Sequence, residues 1–320
     1  MKNILSLLAI SFLFYSCNDG DIITESLEFD DTFNACDLNS NDNFTVYKTK
    51  TDPFESLSFI GDRTLAELFA TTIDPDNDLL VNLVNDENVS IAINSSNAFN
   101  YRTYNADPSN VFCTAIPQSS VSITNDAIAT GGTAVFTVGL IEDDNDGIPA
   151  ELEDINNNGI LDDDDTDGDG LPNYLDDDDD GDNVKTIDEG IVYDADTETL
   201  TARNTDEESE DPDNLIPDYL DNDDDNDGIL TINEDTENEN LDPTDDFTDG
   251  GALPDYRNPL IVNSVDTTEY SEHNINQTFT LSLTIFDLAL PTINQDVLEF
   301  GTLTDDANVN ITSRQVTPEF

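Results

Sequence analysis

Between Glu142 and Glu189 the sequence EDDNDGIPAELEDINNNGILDDDDTDGDGLPNYLDDDDDGDNVKTIDE sets acidic or amide side chains at every second position before a glycine or asparagine, four times in succession. A loop of twelve residues wraps a calcium ion when positions 1, 3 and 5 offer side-chain oxygens and position 6 turns left-handed. Position 7 then gives its carbonyl and position 12 adds a carboxylate. On this register the first loop uses Glu142, Asp144, Asp146, the Ile148 carbonyl and Glu153, turning at Gly147. The second uses Asp154, Asn156, Asn158, the Ile160 carbonyl and Asp165 around Gly159. The third uses Asp165, Asp167, Asp169, the Leu171 carbonyl and Asp176 around Gly170, so Asp165 closes one loop and opens the next. The fourth uses Asp178, Asp180, Asp182, the Val184 carbonyl and Glu189, with Asn183 at the turn.

The pattern restarts further on. LPNYLDDDDDGDNVKTIDE at 171–189 recurs as IPDYLDNDDDNDGILTINE at 216–234, a shift of 45 with 11 of 19 positions identical. The second copy supplies a fifth loop from Asp223, Asp225, Asp227, the Ile229 carbonyl and Glu234, around Gly228. The loop before it is degraded, with Leu215 where Gly170 stands, and Leu253-Pro254-Asp255-Tyr256 is a last echo. Carboxylate-rich loops without His or Cys suit calcium; magnesium keeps its waters and zinc prefers nitrogen or sulfur. Pro149, Pro172, Pro217 and Pro254 follow the position-7 residues or their equivalents, leaving no room for the long paired helices of a sensor. One apolar residue per loop cannot form a core, so the ions are expected to serve as one.

The tandem D-x-D-x-D-G spacing over 142–257 resembles the thrombospondin type 3 repeat, in a form without interleaved cysteines. That resemblance implies calcium-dependent stiffening of an extracellular module and a part in cell adhesion. Dockerins use similar loops in two separated copies, each followed by a helix; the prolines disfavour that alternative.

These loops must be held by something. The chain carries 73 acidic against 9 basic side chains, a formal net charge of -64. Of the acids, 45 lie between Glu142 and Arg257, with only Lys185, Arg203 and Arg257 opposing them. Such a field excludes nucleic acid as a partner and expands the segment unless cations bind. Residues 1–17 read as a secretory signal: Lys2, an apolar run, then Phe14-Tyr15-Ser16-Cys17, which resembles a lipobox with Cys17 as the lipidated residue. The acidic Asn18-Asp19-Gly20-Asp21 resembles the sequence after the cysteine in surface lipoproteins of the Bacteroidetes group.

From 18 to 141, β-branched and alternating runs separated by Asn, Asp, Gly and Pro predict a small β-sandwich. Leu65, Leu68 and Phe69 share the face of a turn or two of helix. With Cys17 taken by the lipid, Cys36 and Cys113 remain as an even pair in an oxidising compartment and read as a disulfide; with Cys17 free the pairing is open. Ile191–Arg203, in an insertion over 190–209, reads as a hairpin or an extended segment. Phe279, Leu281, Leu283 and Ile285 alternate with Thr278, Thr280, Ser282 and Thr284, and residues 259–320 predict a small C-terminal β unit, marginal alone and expected to pack on a neighbour, pair with a partner or be completed by further sequence. His273, the one histidine and with no Cys to join it, reads as a surface or loop residue. The class is therefore mainly β: an N-terminal sandwich, a calcium-bound loop array over 142–258 with little regular structure, and the C-terminal unit. No nucleophile elbow, zinc-protease helix or phosphate loop is present, and a non-enzymatic role is expected. The expected protein is a calcium-stiffened spacer in an outer-membrane lipoprotein at the cell surface, anchored by its lipid. The alternative is an adhesin that grips an extracellular protein or glycan through its N-terminal domain.

Overall fold

Short β-branched and aromatic runs become strands in a computed structural model that describes residues 27–38, 43–85, 87–114, 116, 119–206, 216–236, 240–248, 250–303 and 312–320. The signal and Cys17 lie outside the described residues, as does Leu215. The strands are β1 (Thr32–Leu38), β2 (Asn43–Thr51), β3 (Phe54–Gly61), β4 (Thr71–Ile73), β5 (Val81–Leu83), β6 (Asn88–Ala92), β7 (Phe99–Tyr104), β8 (Ile123–Ile128) and β9 (Thr133–Asp143). After the array's small hairpin, β10 (Val192–Asp194) and β11 (Thr199–Thr201), come β12 (His273–Ala289), β13 (Asn294–Leu303) and β14 (Thr312–Val316). The large sheet runs β6-β9-β12-β13-β1-β2-β3-β7-β8, with β14 also on β12.

That sheet folds over at β1. Thr32 and Phe33 pair in parallel with Thr302 and Leu303 of β13, whereas Asn34–Leu38 pair antiparallel with β2. The close crossing requires glycine at Gly301: at φ +101° a Cβ would lie 1.9 Å from the Asp31 carbonyl oxygen. Phenylalanines from both layers fill the space between them. Phe136 of β9 meets Phe44 and Phe59 at 5.4 and 5.7 Å, and Phe300 of β13 meets Phe33 and Phe99 at 5.6 and 6.2 Å. Each such ring, fully buried, contributes about 2 kcal/mol. The disulfide Cys36–Cys113 forms, tying β1 to the loop after β7. The segment around Leu65 is a single tight turn, closed by the Leu68 N–H on the Leu65 carbonyl, with Leu65, Leu68 and Phe69 buried.

The mainly β class holds. The C-terminal strands, however, are not a layer of their own. β12 lies between β9 and β13, and its alternating face (Phe279, Leu281, Leu283, Ile285) joins the single large core. Some sixty residues with one apolar face cannot bury it alone, so it completes the sandwich. The loop array is thus an excursion between two paired strands. It leaves after Asp143 and returns at His273, and Asp143 is paired with Asn276.

Candidate metal centres

All five loops share one backbone device. The position-5 side chain accepts the position-7 N–H: Asp146 from Ile148, Asn158 from Ile160, Asp169 from Leu171, Asp182 from Val184 and Asp227 from Ile229, at 2.6 to 2.8 Å. Position 3 accepts the position-5 N–H in three of them, Asp144, Asp167 and Asp225, at 2.9 to 3.2 Å. Position 1 caps the turn in four: Asp154, Asp165, Asp178 and Asp223 accept N–H groups four or five residues on, among others. Left-handed backbone occurs at position 6 and also at position 4, where Asn145, Asn157, Gly168, Gly181 and Asn226 stand. Asn and Gly tolerate that conformation. Short 3-10 turns such as Ala150–Leu152 and Asn173–Leu175 follow the loops and bring the position-12 residue back.

The carboxylates divide their oxygens between two tasks. One oxygen shapes the loop; the other is buried without a hydrogen-bond partner, as at Asp144, Asp146, Asp167, Asp169, Asp182, Asp225 and Asp227. The position-12 residues Glu153, Glu189 and Glu234 have both oxygens buried and unpartnered. Buried polar atoms are ordinarily paired, and unpaired buried charge is more costly still. Three clusters result within single loops or their closures: Asp144, Asp146 and Glu153; Asp165, Asp167 and Asp169; Asp223, Asp225 and Asp227. In the fourth loop Asp180, Asp182 and Glu189 are joined by Asp224. Burial, then the Glu153 and Asp146 charges, drives Asp144 well above the carboxylate range, and burial followed by the Asp180 charge does the same to Asp182 and Glu189. Burial first and then the Asp227 charge push Asp225 up to about 7; burial and then Asp225 push Glu234 up to about 9. Hard, anionic, all-oxygen donor sets of this kind fit a calcium ion.

Several expected ligands sit elsewhere. Glu142 does not join the first cluster: it is held by Arg314 Nε at 2.7 Å and Gln277 Nε2 at 3.0 Å, because it belongs to the end of β9 and faces β12 and β14. The second loop closes on itself. The Asn156 and Asn158 amides donate to Asp163 and Asp164, so Asp165 is not shared and serves only the third cluster. Asp178 spends its carboxylate on the Asp182 and Asn183 N–H groups rather than joining Asp180 and Asp182. Asp176 meets Asp177 and His273 instead of closing on Asp165, Asp167 and Asp169. The side chains of Ile148, Leu171 and Val184 are buried, Ile229 is half-buried and Ile160 is exposed.

His273, expected at the surface, is 1% exposed at the start of β12, with Nδ1 2.5 Å from Asp176 Oδ1 and 3.4 Å from Asp177 Oδ1. Burial alone would lower it, but Asp176, then Asp178 and Asp177, push its pKa up to about 9. The short contact is an ion pair that fixes Asp176. Beside it, Leu171 and Leu175 of the array pack with Ile275 of β12, and the Asn77 amide donates to the Gly170 carbonyl at 2.7 Å. Asn183 is held to the return segment by the Glu269 carbonyl and the Ser271 N–H. The sequence register also passes over Asp179 and Asp224, at loop position 2, both buried with neither oxygen partnered. Their equivalence under the 45-residue shift is the signal that could have found them.

Fold and clusters together define a β-sandwich carrying an acidic loop array with grouped, buried carboxylates. A family model described as BamM C-terminal matches residues 143–199, which take in the first four loops apart from Glu142 and most of the hairpin, a minor part of the 320 residues. This overturns the thrombospondin type 3 resemblance: the likeness that comparison finds in the array is to the BamM C-terminal model. No curated protein and no solved structure matches the chain.

Proposed function

We propose that this chain is a calcium-braced structural module of the cell envelope. The observation that carries the reading is the set of buried carboxylate oxygens left unpartnered in register, with a doubly unpartnered glutamate at position 12 of the first, fourth and fifth loops. Calcium supplies the missing charge and takes six to eight oxygens, which such sets and their waters offer. The array braces one face of the sandwich, since both of its ends sit on paired strands. Extracellular sites of this type bind at about 0.1 to 1 mM, so the state of the array follows environmental calcium. An outer-membrane association is supported by the BamM C-terminal match, a family related to outer membrane assembly, and a lipid anchor by the Cys17 motif. The adhesion role that the thrombospondin resemblance implied falls with that resemblance. The test is an ion count by native mass spectrometry with calcium and after chelation, paired with small-angle scattering. Bound calcium and chelator-induced expansion are expected; no bound ion and an unchanged scattering curve overturn the reading.

A further inference from the structure

We propose that the ions of the first, fourth and fifth loops form one linked chain, in which Asp179 completes the first site and Asp224 the fourth, each from the following stretch of the array. This rests on the calcium reading above and names the coupling between its sites. Asp224 lies 35 residues beyond Glu189, yet its carboxylate stands with those of Asp180, Asp182 and Glu189, their ligand oxygens all within 4.8 Å of one another. All four residues are buried, and both oxygens of Asp180, Glu189 and Asp224 lack a hydrogen-bond partner, as does Asp182 Oδ2. Arg203 Nη2 is 3.9 Å from Asp224 but its guanidinium is committed to Asp218. One shared arginine leaves about three negative charges, which a divalent cation neutralises to within about one.

Asp179 is the counterpart of Asp224 in the first copy. Their N–H groups donate to equivalent threonine hydroxyls, Thr186 and Thr231, at 3.2 and 3.3 Å, which holds the two backbones alike. Asp179 is 1% exposed with neither carboxylate oxygen hydrogen-bonded, and after burial the charges of Glu153, Asp146 and Asp144 act on it most strongly, a cluster whose own 4.8 Å grouping does not include it. The consequence lies in the backbone. Adjacent residues Asp179 and Asp180 serve the first and fourth sites, and adjacent Asp224 and Asp225 serve the fourth and fifth. An ion that orders one residue of each pair orders its neighbour, so the next ion binds a site whose conformational entropy is already spent. The fourth ion also clamps the two ends of the excursion that contains the β10–β11 hairpin.

The experiment is native mass spectrometry and hydrogen exchange on the full chain and on Asp224→Asn, at calcium that saturates the parent. Asp224→Asn is expected to carry one ion fewer and to exchange faster over 180–189 as well as 221–229, with β9 and β12 unchanged. Asp179→Asn is expected to lose one ion with faster exchange over 144–153, and it decides the matter where Asp224→Asn disturbs β9 and β12. A parent-like ion count in both variants, or exchange changes confined to the loop carrying the substitution, overturns the coupling alone. A parent chain that takes up no calcium overturns both the coupling and the calcium reading.

Discussion

When divalent ions are withdrawn at neutral pH, the carboxylate clusters must take up protons or come apart. In the fourth site the ligand oxygens of Asp180, Asp182, Glu189 and Asp224 lie within 4.8 Å of one another. Two unit charges at that separation repel by about 3 kcal/mol at an effective dielectric near 20, and the six pairs of four charges reach on the order of 20 kcal/mol. Arg203 offsets only part of this. A folded domain is stable by about 5 to 15 kcal/mol, so full ionisation of one empty site is incompatible with native geometry. The fifth loop sets the pH window, with Asp225 at about 7 and Glu234 at about 9. Both values lie above the unfolded carboxylate range of about 4, so the unfolded chain releases these protons first as pH rises. The metal-free fold therefore has this contribution in full below about pH 4 and loses it as pH climbs through 7 and 9. On the calcium reading proposed above, calcium would displace these protons, and its affinity is expected to rise with pH. Calorimetric calcium titration at pH 7 in two buffers of different ionisation enthalpy, with melting curves in chelator from pH 4 to 9, measures both effects. More than one proton released per chain and a chelated midpoint that falls with pH are expected; no proton release together with a pH-independent chelated midpoint refutes the reasoning.

Three further outcomes follow from particular contacts. Asp165→Ala should remove one ion and not two, because Asp163 and Asp164 close the second loop; a loss of two in native mass spectrometry would restore the shared ligand. His273→Ala leaves Asp176 buried without its counter-charge and should cost about 3 kcal/mol in denaturant unfolding at saturating calcium, whereas a change below about 0.5 kcal/mol would deny the ion pair a structural role. Reducing Cys36–Cys113, which are 77 residues apart, should destabilise the sandwich by up to about 4 kcal/mol with the calcium count unchanged; an altered count would show that the array depends on that staple.

The local rules were legible and the long-range partners were not. Alternation in Thr278–Leu288 is a property of one strand, so the sequence shows that β12 has a buried face; it cannot show that β9 covers one side of it, since β9 lies across 130 residues of array. The loop register is equally local, and the N–H contacts from position 5 to position 7 appear where the spacing places them. Glu142 fits that spacing but is claimed by Arg314, 172 residues away. His273 looked isolated because its partners, Asp176 and Asp177, meet it only after β12 is laid beside β9. Position 4 was the missed local cue: Asn or Gly stands there in all five loops because the backbone is left-handed twice per loop.

Return to the same pair of strands changes what ion loading can do. A spacer transmits the distance between its ends, but here the sheet already holds Asp143 and Asn276 as paired neighbours. Stiffening therefore acts on the face of the sandwich that the array covers: the Leu171, Leu175 and Ile275 cluster, the Asn77 contact and the Asn183 contacts to the return segment. Two of these anchors lie at position 6 or 7 of a loop, Gly170 with Leu171 in the third and Asn183 in the fourth. On the calcium reading, an ion in the third or fourth loop would fix residues that also grip the sandwich or the return segment, Gly170 through its carbonyl and Leu171 and Asn183 through their side chains, and loss of the ion should loosen that grip before it disturbs the phenylalanine core.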